Sequence, residues 1–457
     1  MSLDLTRGAA VTAVSAALLI SLGALPASAA TVVATISVGA LPVGVAVSPD
    51  GSLVYVTNLN SNSVSVIDAD TQAVTATISV GARPHGVAFT PDGSTAFVTN
   101  LDSNTVSVIT VATSTAASSI AVGQSPHDVA VTPDGSTAYV TNRASDTISV
   151  IDVAAGTTGT PIAVGDQPFG VAVSPDGAEA FVTNIGADTV SVIDTATASV
   201  VATIPVGPAP LGVAFAPDGA TAYVTNHGNN TVSVIDVATR TTTSPITVGN
   251  SPWEVAVTPD GTTAYVVNLG PSTVSVVDLA AGATRGSEIA VQSGARAMAF
   301  SPDGTLAWVA NQNSGTVSVV TIETPAVLAD TDTLPTLVVG APVTFRAAVS
   351  SGTPGADFAI SDGALPAGLS LDTESGVISG TPTTAGDFEF TLSATNVVQT
   401  VTATYVGTVD VAPTPELAAT GSAPWSLAMG AGAAGILLGA LLLARGGRAH
   451  RSSIGRA

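Results

Sequence analysis

The residues of this chain with the clearest chemistry recur one repeat length apart. His85 and His127 are separated by 42 positions, and Asp128 follows the second. Trp253 and Glu254 form a similar neighbouring pair, with Phe169 before them and Arg296 after. Two imidazoles and a carboxylate are donor types that hold a divalent metal. No short His-x-His spacing supports such a site, so a divalent cation is left open and no other cofactor is expected. Phe169, Trp253 and Arg296 are residue types that anchor a bound partner, and Trp253 reads as a solvent-facing aromatic anchor. Other chemistries are missing from the sequence. There is no cysteine, hence no thiol nucleophile and no disulfide. There is no Gly-x-Ser-x-Gly, no His-Glu-x-x-His and no cofactor-binding signature.

These residues are positioned by a repeat. Pro-Asp-Gly begins at Pro49, Pro91, Pro133, Pro175, Pro217, Pro259 and Pro302, at intervals of 42 residues and finally 43. A period of this length means one supersecondary unit copied and stacked. Within each copy, short runs rich in Val, Ile, Thr and aromatics are bounded by Gly, Pro, Asn and Asp, which predicts strands. No 3.6-residue apolar period is present, which argues against helix. Four strands per copy, apolar on both faces, make one blade of a β-propeller. The segment Thr31 to Gly39 has the form of a fourth strand with no first three before it. The seventh copy, Met298 to Thr321, has the first three alone. The spacing therefore predicts an N-terminal strand that closes blade seven.

The copies act as controls for one another. Fixed positions serve the blade, and changing positions are free for recognition. At the start of the first strand the residue is Val43, His85, His127, Phe169, Leu211, Trp253 or Arg296. The next is usually Gly, but is Asp128 in copy three and Glu254 in copy six. Blade geometry sends these toward the mouth of the central channel, with the varied loops at Arg143-Ala-Ser-Asp146 and His227-Gly-Asn-Asn230. His85, His127, Asp128, Phe169, Trp253, Glu254 and Arg296 are thus the candidate ligand-binding rim. The competing reading is drift at exposed loop tips. The Asp of each Pro-Asp-Gly reads as a turn residue that caps its own backbone.

The second strand carries Tyr-Val-Thr-Asn verbatim at Tyr55, Tyr139 and Tyr223, with ring variants at Phe97 and Phe181. On these tetrapeptides the region from about Thr31 to Thr321 resembles the YVTN-family β-propellers. That resemblance implies a secreted or surface-layer protein, often fused to immunoglobulin-like modules. Residues 323–412 are rich in Pro, Gly and Thr with alternating apolar runs, which suggests a β-sandwich. Leu365-Pro-Ala-Gly-Leu-Ser-Leu371 with Gly376-Val-Ile-Ser-Gly-Thr-Pro382 resembles bacterial Ig-like, cadherin-like repeats, which imply a spacer or adhesive role.

The termini carry address signals. Residues 1–29 read as a signal peptide, with an apolar run from Ala9 to Leu25 and a small-residue cleavage site at Ala27-Ser28-Ala29. A linker and motif occupy 413–421, a candidate transmembrane helix 422–444, and a basic tail 445–457. The uncharged stretch Trp425 to Ala444 would reach about 30 Å as a helix, enough to span. Arg445, Arg448 and Arg451 would hold its far end in the cytoplasm. Leu417, Ala418, Ala419, Thr420 and Gly421, then the span and the basic tail, resemble a Gram-positive cell-wall sorting signal with Ala in the usual Pro place. The resemblance implies a sortase as partner, cleavage after Thr420 and attachment to peptidoglycan or another wall component.

Composition narrows the partners further. The formal net charge is −22, which opposes nucleic acid and anionic lipid; the membrane is expected only through the C-terminal helix. The sequence thus predicts an all-β, wall-anchored surface protein: a seven-bladed propeller (30–322) with N-terminal strand closure, then an Ig-like sandwich and a transmembrane helix. The propeller is expected to be a non-catalytic binding, adhesion or surface-layer module for an unnamed protein, glycan or small molecule. The regularity of its copies favours this, because catalysis breaks symmetry more. The alternative is an extracellular propeller hydrolase, lactonase-like, with a metal at the channel mouth.

Overall fold

The computed structural model describes residues 30–322, 324–328, 335–346, 349–353, 356–396 and 400–412. The expected signal peptide (1–29), linker and sorting motif (413–421, with Leu417 to Gly421), span (422–444) and basic tail (445–457) lie outside the described residues. Among the described residues no α-helix occurs; one 3-10 turn covers Val111–Thr113. No helix there is long and apolar enough to cross a membrane.

The repeat folds into seven antiparallel sheets. The first contains Pro42–Val47, Leu53–Asn58, Ser63–Asp68 and Ala73–Ser79 in that order. Each Pro-Asp-Gly makes the tight turn between first and second strands. Gly51 takes φ +77°, a left-handed angle that costs glycine least, and its N–H donates to the Ser48 carbonyl at 2.8 Å. Asp50 Oδ1 accepts from Ser48 Oγ at 2.6 Å and from Ser52 N at 3.0 Å. These bonds, Ser48 foremost, hold its carboxyl down at about 2. The turn acids therefore spend their charge on their own backbone.

The outer strand is continuous in blades one, two and four, but split in three, five and six. Blade three has Thr157–Thr158 and Ile162–Ala163 with Pro161 between them, and blade five has Thr241–Thr242 and Ile246–Thr247 around Pro245. Proline has no N–H to give the ladder, so pairing lapses there. In the last sheet Val32–Ser37 pairs antiparallel with Thr316–Thr321, Ile36 opposite Val317 and Ser37 opposite Thr316. The inner strand Ala295–Phe300 packs beside Pro42–Val47, which brings seventh and first blades together.

The aromatic residue of each second strand fills the wedge between blades. Tyr55, fully buried, packs with Val64 and Ile78 of its own blade and with Ala96, Val98 and Ile109 of the next. Trp308 does the same between the last blade and the first, against Val54, Val56 and Ile67. The adjacent Asn58 donates through Nδ2 to Ser63 Oγ at 3.2 Å and Ser65 Oγ at 2.9 Å, bracing the loop that follows.

The second module is all-β as well. Leu337–Val338, Thr400–Asp410, Gly386–Thr395 and Asp357–Gly363 form one sheet, and Val343–Arg346, Val377–Gly380 and Leu369–Leu371 another. Phe358, Ile378, Phe390, Leu392 and Tyr405 make its core.

Candidate functional site

The seven inner strands enclose a channel of ≈ 180 Å³ lined by, among others, His85, His127, Asp128, Phe169, Trp253 and Glu254. Each of these side chains starts a first strand. The preceding blade fixes His85, His127, Phe169 and Trp253, and Leu211 likewise: the threonine of its Tyr-Val-Thr-Asn run or ring variant donates to their main-chain carbonyl.

The side chains at the mouth form a continuous ladder. His85 and His127 lie with ring centroids 3.6 Å apart and planes at 40°. His127 meets Phe169 in the same way, at 3.6 Å and 37°. Phe169 meets Trp253 edge to face at 5.5 Å. The Arg296 guanidinium carbon sits 3.8 Å from the Trp253 ring centroid, a cation–π contact. His227 stands edge-on to Trp253 at 5.7 Å, and Arg143 stands 5.9 Å from the centre of Phe169. Two amides steer the guanidiniums: Arg143 Nη2 donates to Gln167 Oε1 at 3.2 Å, and Arg296 Nε donates to Gln312 Oε1.

Burial sets the protonation of this cluster. Desolvation, aided by the nearby charges of Arg296, Arg143 and Arg83, lowers His85 to about 3. Burial first, then His85 and the arginines, lowers His127 well below its usual value. Both imidazoles are therefore neutral at neutral pH. His127 is 4% exposed, and its Nδ1 is buried without a hydrogen-bond partner. Burial also lowers Arg296, to about 10, so it stays charged.

Two carboxyls line the channel. Asp128 Oδ1 accepts from Val129 N at 2.9 Å, and Oδ2 accepts from Val171 N of the next blade at 3.1 Å. Desolvation outweighs these bonds and raises Asp128 to about 6. Glu254 is raised further, to about 8, by burial and then by the charge of Asp128. Their blades, three and six, are as nearly opposite as a ring of seven allows. Glycine in the preceding blade makes room for each: a Cβ on Gly86 would lie 2.9 Å from Asp128 Oδ1, and one on Gly212 would lie 3.0 Å from Glu254 Oε1.

The structure thus puts six of the seven candidates in the lining of one channel and the seventh, Arg296, over Trp253, and it corrects three readings of them. They are not exposed loop tips: His127 and Phe169 are buried and the other five are half-buried. Trp253 is not a free solvent-facing anchor, because Arg296 covers one face and Phe169 and His227 abut the ring. His85, His127 and Asp128 do not form a metal set. Imidazole lone pairs lie in the ring plane, whereas these rings stack, and the Asp128 oxygens are turned to backbone N–H groups. Among the described residues no group of three or more His, Asp or Glu is arranged to hold a metal ion. Gln167 and Gln312 had no signal in the repeat, because they stand in loops that vary from copy to copy.

Comparison with known proteins gives matches to families. The profile described as "Lactonase, 7-bladed beta-propeller" matches residues 23–119, 163–323 and 248–355. "YNCE-like beta-propeller" matches residues 87–157, and "Putative Ig domain" matches residues 321–410. Among solved structures, Kuenenia stuttgartiensis hydrazine synthase is similar at 26% identity and a TM-score of 0.57, over 62% of this chain and 95% of that one. No curated protein matches.

Proposed function

The chain belongs to the lactonase family of seven-bladed β-propellers, and from that premise we propose that it is an extracellular surface protein whose channel mouth binds a ligand without transforming it. The Ig-like module is the spacer. The signal peptide (1–29), the motif Leu417 to Gly421, the span 422–444 and the tail 445–457 would pass the chain to a sortase and then to peptidoglycan or another wall component of a Gram-positive bacterium. In this reading the strand Val32–Ser37 latches the last blade, so the ring stays closed after processing ahead of residue 30.

One observation carries the binding reading: the mouth side chains are already packed against one another, from His85 through Trp253 to Arg296. A preordered aromatic and cationic surface loses little entropy on binding. The same packing disfavours catalysis, since His127 is sandwiched between rings and Asp128 is engaged by two backbone N–H groups. The test has two arms. An array of glycans and wall fragments should give a signal that Trp253→Ala with Arg296→Ala removes. Cell fractionation should place the protein in the wall and move it to the membrane or medium when Thr420→Ala blocks sorting. A wall signal untouched by the double variant would refute the choice of mouth.

A second reading, hydrolysis of a lactone, is favoured by Glu254 and Asp128. Carboxyls raised to about 8 and about 6 are suited to general acid–base work near neutrality. Turnover of any sugar lactone that is lost in Glu254→Gln would establish it in place of the first.

A further inference from the structure

The unusual feature of the mouth is its charge. In a chain of net charge −22, two guanidiniums stand at the rings of one opening, Arg296 3.8 Å from the Trp253 centroid and Arg143 5.9 Å from that of Phe169, and both, with Arg83, act electrostatically on His85. Arg83 is paired, 3.8 Å from Asp102. Arg143 and Arg296 are not: among the described residues neither has a carboxylate within 4 Å, and each is instead steered by a neutral glutamine. A guanidinium held by an amide keeps its full charge and a fixed direction. Both belong to the ring ladder, Arg296 over Trp253 and Arg143 near Phe169. Of the two channel carboxyls, burial keeps Glu254 protonated up to about 8, while Asp128, ionised above about 6, turns its two oxygens to the backbone N–H groups of Val129 and Val171.

Resting on the binding reading above, we propose that the mouth takes a planar organic carboxylate, its ring against the Phe169–Trp253 edge and its charge on Arg143 and Arg296. A carboxylate matches the paired N–H geometry of a guanidinium and forms strong charge-assisted bonds. A flat π-system fits an aromatic lining that offers ring edges and faces. Neutral His85 adds hydrogen-bonding capacity without adding charge, and buried His127 serves as a stacking partner for His85 and Phe169. A second carboxyl on the ligand would engage both arginines.

Isothermal titration calorimetry of the 30–412 protein at pH 7 and low salt tests this, with benzoate and isophthalate as probes and benzamide and cyclohexanecarboxylate as comparators. Isophthalate should bind more tightly than benzoate, and both should bind at least about tenfold more tightly than benzamide and cyclohexanecarboxylate. Arg143→Gln and Arg296→Gln should each weaken isophthalate by about tenfold or more. Arg143 stands in a loop, so its variant remains informative if Arg296→Gln fails to fold. Equal binding of benzamide and isophthalate, unchanged binding in both arginine variants, or no heat with either acid at about 10 mM would overturn the proposal. Wall-fragment binding that depends on Trp253 while neither acid binds would overturn only this ligand class and leave the binding reading standing.

Discussion

The hydroxyl of Thr57 donates to the carbonyl oxygen of His85 in the next blade at 2.6 Å, while accepting from Gly44 N in its own blade at 2.9 Å. The outward bond recurs as Thr99 to His127, Thr141 to Phe169, Thr183 to Leu211 and Thr225 to Trp253, at 2.6 to 3.0 Å. It stops at the last two junctions, where Val267 and Ala310 replace threonine. The third residue of Tyr-Val-Thr-Asn is thus a bolt between blades that also fixes the mouth. The ring is bolted at five junctions and unbolted beneath Arg296 and Val43.

Thr141→Val should expose this. It leaves Asp128 N and the Phe169 carbonyl without their buried partner, at a cost of about 1–3 kcal/mol. Urea unfolding would read the loss as a lower midpoint at unchanged slope. Val267→Thr supplies the missing bolt and should raise the midpoint or leave it level. A Thr141→Val protein as stable as the parent would show that the bond carries no net energy.

Stability should fall with rising pH between about 6.5 and 8 because of Glu254. Its carboxyl titrates at 4.5 in an open chain and at about 8 when folded, so folded protein holds a proton that unfolded protein has lost. That advantage is complete below 4.5 and gone once pH passes 8. Asp128 behaves alike, but its window ends at about 6. His85 and His127 act in the opposite sense, costing stability only as pH falls below 6.5, and Arg296 titrates far above, at about 10. The window from about 6.5 to 8 is therefore that of Glu254, and the change across it is up to about 2 kcal/mol. Thermal midpoints of Glu254→Gln should be flat there; a slope equal to the parent's would contradict the assignment.

Asp128→Asn tests the other acid. Asp128 accepts through both oxygens, from Val129 N and Val171 N. An amide offers one oxygen and one N–H group, so one donor would face another. The expected cost is about 1–3 kcal/mol, read as a lower chemical-denaturation midpoint. A neutral or stabilising outcome would mean that relief from carboxyl burial exceeds those two bonds.

Removal of residues 30–38 should leave the edge of Thr316–Thr321 unpaired, since Val32–Ser37 covers it. A bare apolar edge invites pairing between molecules. Size-exclusion chromatography should show dimers or aggregates and a lower thermal midpoint. A monomer of parental stability would show that the strand contributes nothing to closure.

Much of the blade was legible in the sequence because each copy repeats the same physical solution. Pro-Asp-Gly can only turn the chain, and an aromatic at Tyr55, Phe97 or Trp308 can only be buried in a wedge. The gathering of His85, His127, Asp128, Phe169, Trp253, Glu254 and Arg296 at one opening followed from their common frame. Their mutual contacts did not. Whether His85 and His127 share an ion or stack depends on side-chain rotation, which spacing does not encode. Gln167 and Gln312 sit in loops without a pattern, so their hold on Arg143 and Arg296 needed coordinates. The split outer strands were not read from the sequence: proline removes a ladder donor at Pro161 and Pro245, but blade six splits between Thr284 and Ile289 with no proline there.

The most direct test of the account is the affinity of the 30–412 protein for immobilised cell-wall fragments, measured by surface plasmon resonance beside Trp253→Ala/Arg296→Ala at matched thermal midpoint. The account predicts specific binding by the parent and a loss of at least about a hundredfold in the double variant. Equal affinity of the two proteins would contradict it.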